Sequence, residues 1–260
     1  MEVGYNKFLK IFNNLLLESL GYFDIGSNCT LRNRFMNTVP VSVIIPTYNR
    51  SALLGRALDS VRAQSRKPAQ LIVVDDGSTD DTAAMLANDF PEVEYFYQPN
   101  QGVSAARNVG LENASQPWIA LLDSDDQWLP QKLEKQFREI QHNPTFLFCH
   151  TEEIWIRNGR RVNPMKKHAK YGGDIFKHCL PLCCVSPSSV LMHRDLLDAV
   201  GHFDETLPAC EDYDLWLRVC SEFEVLFVKE PLIKKYGGHE DQLSREYWGM
   251  DRFRIQALEK

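Results

Sequence analysis

The chain has 260 residues, 44% of them hydrophobic and 25% charged, with a formal net charge of −6. That composition supports one large α/β domain with a proper core and excludes broad nucleic-acid binding, which needs a basic face to neutralise many phosphates. Seven cysteines, an odd number in a chain this long, fit reduced thiols better than a disulfide scaffold, and no apolar run approaches the ~18 residues of a membrane-spanning helix.

Residues 1–40 form an N-terminal extension unlike the rest. Phe8, Ile11, Phe12, Leu15 and Leu20 fall on one helical face, and a polar linker follows at 26–34. Three readings stand: a helix docked on the domain or on a partner, a membrane-surface helix, and a weakly ordered extension with Met36 as an alternative start. Lys7 and Lys10 precede the apolar residues as in a signal peptide, but Asn13, Asn14 and Glu18 interrupt them and no small-residue cleavage site follows. Secretion is therefore not expected. The expected location is cytoplasmic, with peripheral association at the cytoplasmic face of a membrane left open.

From residue 41 the pattern becomes regular. An apolar run at 41–45 reads as a strand, and Asn49 as the cap of a helix carrying Leu54, Leu58 and Val61. Residues 71–74 give the next strand, and Ser78 or Thr79 caps a helix running towards Asp89. A third strand at 93–97, a helix opened by Gly102 and a fourth strand at 118–122 complete an alternation that predicts βαβ units and a largely parallel sheet. A helix after Pro130 ends near Pro144. Strands are then expected at 146–149, 154–156, 189–192 and 224–228, with a turn at Asn158 and Gly159 and helices from Asp195 and over 214–222. The predicted architecture is a single α/β domain over 41–245, with a mixed, mostly parallel central sheet flanked by helices, followed by a C-terminal helix at 246–260.

Two knots of carboxylates stand out. VDDGS at 74–78 and LDSDD at 122–126 each follow a buried strand, so the acids gather at the strands' carboxyl ends, where open α/β sheets bind ligands. Such crowding is unfavourable without a positive charge among the acids, which points to a divalent metal carrying a phosphorylated ligand. Asp123 and Asp125 form a DxD arrangement. In an extended segment residues two apart point the same way, so both carboxylates can face one ion, and hard oxygen ligands select Mg or Mn.

PTYNR at 46–50, VDDGS at 74–78, GVSAARNVG at 102–110, LDSDD at 122–126 and CEDYDLWLR at 210–218 occur in the order seen in family 2 glycosyltransferases, which the chain resembles over about residues 41–239. Any one of these motifs alone is weak, but the ordered set is specific. The resemblance implies a GT-A fold, with a nucleotide-binding half at 41–130 and an acceptor half at 131–245. It also implies an inverting, hexosyltransferase-like enzyme that moves a sugar from a nucleotide-sugar donor, preferably UDP-linked, to a hydroxyl of a glycan or lipid-linked acceptor, in cell-surface polysaccharide or glycan biosynthesis.

The resemblance also distributes roles. Pro46, Thr47 and Tyr48 would present backbone groups and an aromatic face to the base, while Asp75 or Asp76, with Asp76 preferred, accepts a hydrogen bond from the base imide. Helix capping is the plainer reading of those two acids. Arg107 would meet base or phosphate oxygens, a surface salt bridge being its ordinary alternative. Asp123 and Ser124 extend the nucleotide site. Asp125 is the implied metal ligand, with Asp123 assisting and His239 as a further candidate. Asp212 is the implied general base, with Glu211 positioning the acceptor, although an acid there also complements the helix dipole.

Some features lie outside these motifs. Arg157, Arg160, Arg161, Lys166, Lys167 and Lys170 fall within one segment, which reads as a solvated loop or as the contact for an anionic acceptor. Cys179, Cys183 and Cys184 lack zinc-site spacing and read as buried thiols. Two other function classes remain: a sugar-phosphate nucleotidyltransferase, for which an early GxG phosphate loop is missing, and a noncatalytic GT-A-like binding protein, against which the intact acids speak.

Overall fold

The computed structural model describes residues 37–238, 247 and 249–260. The metal role expected of His239 and the readings of the first 36 residues fall outside these described residues.

Strands and helices alternate through the first half: β1 (Thr38–Thr47), α1 (Ser51–Arg62), β2 (Lys67–Asp75), α2 (Thr82–Asp89), β3 (Glu94–Tyr97), α3 (Val103–Asn113) and β4 (Trp118–Leu121). There follow β5 (Gln127–Trp128), α4 (Lys132–His142), β6 (Phe148–Arg157), β7 (Arg160–Val162), α5 (Phe176–Cys179), β8 (Leu191–His193), α6 (Arg194–Val200), α7 (Glu211–Glu222), β9 (Leu226–Gly237) and α8 (Asp251–Leu258). The sheet runs in the order β3-β2-β1-β4-β8-β6-β9-β5, with β7 paired to β6. β3, β2, β1 and β4 are mutually parallel, β6 and β9 are parallel, and β8 and β5 join antiparallel.

The absence of polar alternation in β1 and β2 has a direct cause. Ile44, Ile72 and Val74 feed a core on one face with Ala106, Leu111 and Trp216, whereas Val43, Ile45 and Val73 feed a second core on the other with Leu54, Leu58 and Leu133. Each fully buried aliphatic side chain contributes roughly 1.5–3 kcal/mol, so both strand faces are committed to the interior. On the first face α3 lies very close to β1: a Cβ at Gly110 would fall 2.3 Å from Ile44 Cγ2, so only glycine fits there.

The strand order places a switch point at β1. The chain leaves β1 for β2 on one side and returns through α3 to β4 on the other, which opens a crevice beyond the carboxyl ends of β1 and β4. That crevice receives the acids of the second motif, Asp123 and Asp125.

Several local expectations change. Phe148–Arg157 form one ten-residue strand instead of two, and Asn158 (φ 48°) with Gly159 (φ 72°) makes the hairpin to β7. β9 continues to Gly237, far past the expected end at 228. Its exposed Lys229, Glu230 and Pro231 sit where the pairing with β6 shifts register, and they hide the strand from a reading of apolar periodicity. Asn49 (φ 51°) does not cap α1 but accepts from Thr79 N at 2.7 Å, while Asn49 N donates to Ser78 Oγ at 2.8 Å. The start of α2 is instead held by Asp80, which accepts from Thr82 N at 3.1 Å. Among the described residues no helix is long and apolar enough to cross a membrane.

Candidate active site

A cleft of about 260 Å³ opens at the switch point, and its lining includes Pro46, Arg107, Asp123, Ser124, Asp125, Glu211 and Asp212. Residues from β1, α3, the turn after β4 and the start of α7 therefore meet in one place. Thr47, Tyr48, Asp75 and Asp76 do not line this cleft. Tyr48 is 47% exposed, and Thr47 Oγ1 is buried without a hydrogen-bond partner.

The DxD segment is not extended. Asp126 N donates to Asp123 O at 3.0 Å, closing a tight turn, so the turn and not strand alternation brings Asp123 and Asp125 to the same cleft. Ser188 anchors the turn: its Oγ accepts from Asp123 N at 3.0 Å and donates to Asp126 Oδ2 at 2.6 Å. Asp126 Oδ1 also accepts from Tyr236 N at 2.9 Å. Burial, followed by the charges of Asp125 and Asp123, pushes the Asp126 carboxyl well above the usual carboxylate range. Trp128 is buried and donates through Nε1 to Ser188 O at 2.8 Å.

Arg107 sits at the centre of the site, 3% exposed. Its guanidinium donates to Asp123 Oδ1 at 2.8 Å and to Glu211 Oε1 at 2.5 Å, joining the turn after β4 to the start of α7. Burial works to lower its pKa, but the charges of Asp123 and Glu211 outweigh it and hold the guanidinium firmly protonated. Burial pushes the Glu211 carboxyl up, with Arg107 pulling the other way and Asp212 adding to the rise.

Asp76 governs where Arg107 sits. Its carboxylate accepts from Gln98 Nε2 at 2.7 Å and from the backbone N–H groups of Gln101 and Gly102 at 2.8 Å each, which fixes the chain at the start of α3. Gly102 adopts φ 93°, a conformation open to glycine. Asp75 accepts from Ser78 N and from Tyr95 Oη, both at 2.8 Å.

Asp212 lies in the first turn of α7, half-buried. Its Oδ1 accepts from Tyr213 N at 2.7 Å, and Cys183 Sγ lies 3.5 Å from Oδ2. The preceding Cys210 has left-handed backbone (φ 64°), a strained geometry for a non-glycine residue that sharply turns the chain into the helix. Cys179 packs its sulfur 2.9 Å from that of Cys184 in the core beneath.

Two residues of the cleft, Arg50 and Lys235, and one beside it, Arg56, were not singled out from sequence. Arg50 pairs with Asp125 Oδ2 at 3.2 Å, Arg56 donates to the Asp125 carbonyl, and Lys235 enters from β9. Burial opposes the charge on Lys235, but Glu153 and the cleft acids Asp126, Asp212 and Asp123 raise its pKa. Arg50 was visible inside PTYNR, whereas Lys235 needed the full length of β9 to be known.

The residues present suit a divalent ion. Asp123 and Asp125 offer hard oxygen donors, and Mg or Mn is commonly held by one or two carboxylates plus substrate phosphates. Arg50 and Arg107 already place positive charge against these two acids, as the crowding requires. Among the described residues no cluster of three or more metal-binding side chains gathers.

A mixed sheet with an acid-lined crevice at its switch point is the architecture of the GT-A glycosyltransferases. The model of the family described as glycosyl transferase family 2 matches residues 42–201, and the chain belongs to that family of transferase enzymes. An uncharacterized glycosyltransferase of Rickettsia conorii is 31% identical over 207 residues, covering 79% of this chain and 34% of its own. One from Rickettsia typhi is 32% identical, covering 75% and 63%, and YwdF of Bacillus subtilis, also uncharacterized, is 30% identical, covering 71% and 69%. The chain thus spans about a third of the Rickettsia conorii relative and under two thirds of the Rickettsia typhi one. Among solved structures, residues 1–349 of TarS from S. aureus share the fold at 21% identity. The complex with UDP-GlcNAc has a TM-score of 0.69 and covers 84% of this chain and 64% of that one; the UDP complex has 0.64, 76% and 60%.

Proposed function

We propose that the protein transfers a sugar from a nucleotide-diphosphate sugar, UDP-linked, to a hydroxyl of a glycan or lipid-linked acceptor with inversion of configuration, aided by Mg or Mn. The observation that carries this reading is the meeting of Asp123, Asp125 and Asp212 in one cleft through Arg107 and Glu211. The TarS structures with UDP and UDP-GlcNAc support the choice of donor.

Asp125, with Asp123, would hold the ion. When bound, the ion neutralises charge growing on the departing diphosphate. Pro46 lines the cleft and, with Thr47 and Tyr48, would border the base. Asp75 shapes the same pocket, and Asp76, occupied by three protein donors, acts through the position of α3. Ser124 lines the cleft and would face the diphosphate.

The Asp212 carboxylate takes the proton of the acceptor hydroxyl as its oxygen attacks the anomeric carbon. The bond from that carbon to the diphosphate oxygen breaks on the opposite face, and its electron pair leaves with the nucleotide. A single displacement inverts the centre. Glu211, held by Arg107, fixes the first turn of α7 and so the aim of Asp212. The test is to incubate the full chain with Mn and a panel of UDP-sugars and acceptors and to measure UDP release. Release with none of them, from protein that binds UDP, would refute transfer.

A further inference from the structure

A second cavity, of about 420 Å³, shares Cys210, Asp212, Lys235 and Met250 with the donor cleft. Its other walls come from β6, the segment before α5 and α8. We propose that this cavity is the acceptor site and that it selects an acceptor bearing a phosphate ester, whose charge is met by Arg157, Lys170, Lys235 and Arg254 while Trp155 offers a face for the acceptor's sugar ring. The inference rests on Asp212 being the general base.

The charge balance of the walls carries the argument. Four Lys and Arg side chains line the cavity against two acids, Glu153 and Asp212, in a chain whose net charge is −6. Glu153 is already matched by Lys170 at 3.1 Å, and both are buried. Lys235 Nζ lies 2.9 Å from Ser186 Oγ. Arg254 pairs at 3.0 Å with an exposed Asp251, and its Nε is buried with no hydrogen-bond partner. The cations of the walls outnumber the acids, and an anion entering the cavity would meet that charge where a neutral sugar would not. A phosphate monoester, at about −1.5 to −2, carries charge of the opposite sign to these walls.

The aromatic wall is held in place. Trp155 Nε1 donates to Glu153 Oε1 at 2.6 Å, and the Arg157 guanidinium lies 5.7 Å from its ring. A sugar ring against the indole would carry its phosphate among the cations and a hydroxyl towards Asp212. The basic segment seen in the sequence is therefore divided. Arg157 and Lys170 line the cavity, whereas Arg160, Arg161, Lys166 and Lys167 do not.

The experiment titrates glucose 1-phosphate, and separately glucose, into the full chain with UDP and Mn, by calorimetry. Phosphatidylcholine vesicles with and without phosphatidic acid are added as a lipid-borne phosphate. The sugar phosphate should bind at least about tenfold tighter than the sugar, and Arg157→Ser and Arg254→Ser should each weaken it several-fold while UDP affinity and melting temperature hold. Competition by the phosphatidic acid vesicles assigns the phosphate to a lipid; binding of the sugar phosphate without such competition assigns it to a soluble or glycan-borne group. Equal binding of sugar and sugar phosphate, or unaltered binding in both variants, overturns the inference while UDP binding leaves the donor reading standing. A protein that fails to bind UDP overturns the donor reading, and this inference with it.

Discussion

Arg107 donates to Glu211 at 2.5 Å across 104 positions of sequence, and the same guanidinium holds Asp123. One side chain thus couples the motif expected to hold the donor to the motif expected to activate the acceptor. Replacing it leaves two carboxylates facing each other. Arg107→Gln should cost ~3–5 kcal/mol, since breaking a buried pair strands a charge. The double variant with Glu211→Gln should recover part of that loss. Urea unfolding of the three proteins measures this, and a single variant as stable as the parent would show that the bridge has no structural weight.

Asp212→Asn keeps the shape of the site and removes the proton acceptor. Turnover should fall by ~10²- to 10⁴-fold, with UDP affinity unchanged and stability altered by no more than about 1 kcal/mol, the scale of a helix-terminal carboxylate. Transfer rate, UDP affinity and melting temperature are read on the same preparation. Near-normal turnover would remove Asp212 from the chemistry.

Donor binding should depend on a divalent ion. Asp123, Asp125 and a diphosphate repel one another, and Arg50 and Arg107 offset only part of that charge. Calorimetric titration of UDP with Mn and then with excess chelator should lose most of the affinity, and Asp125→Asn should lose the Mn-dependent part. Equal affinity in Mn and in chelator would disprove the metal assignment.

Two buried groups set the response to acid. His150 is fully buried with Nε2 2.7 Å from Tyr171 O, and burial, then the Lys170 charge, push its pKa down to about 4 from an ordinary 6.5. The unfolded chain takes up that proton first. This stabilisation is therefore whole above pH 6.5 and is lost as pH falls towards 4. Burial would raise Glu153, but Lys170 and Lys235 outweigh it and bring the carboxyl to about 2 from 4.5, so its stabilisation is whole above 4.5 and is lost towards 2. His150→Phe should flatten the decline in unfolding free energy between pH 6.5 and 4 by up to about 3 kcal/mol and leave the lower window intact. A variant that declines as steeply as the parent would acquit His150.

Much of this arrangement was legible because its signals are local. β2 and β4 end as apolar runs followed by acids, so the gathering of Asp75, Asp76, Asp123 and Asp125 at one edge of the sheet followed from chain order alone. Partnerships were not legible. Nothing adjacent to Arg107 says that both ends of its guanidinium meet acids from other elements, and nothing near Asp76 says that its carboxylate holds the start of α3. Lys235 was hidden for a different reason: the charged residues and register shift early in β9 erase the periodicity that would have carried the strand on to it.

The contact between Gly110 and Ile44 has a consequence for how this site tolerates change. Arg107 stands one turn before Gly110 on α3, so the gap between helix and strand sets the height of the guanidinium above its two acids. A methyl group at residue 110 would act as a shim, displacing a lever whose far end is the ion-pair bridge. Both cores would still close around a slightly wider seam, and the mis-set angle would appear at the bridge first. Residue 110 is thus a gauge for the chemistry, although it lies in the interior against Ile44.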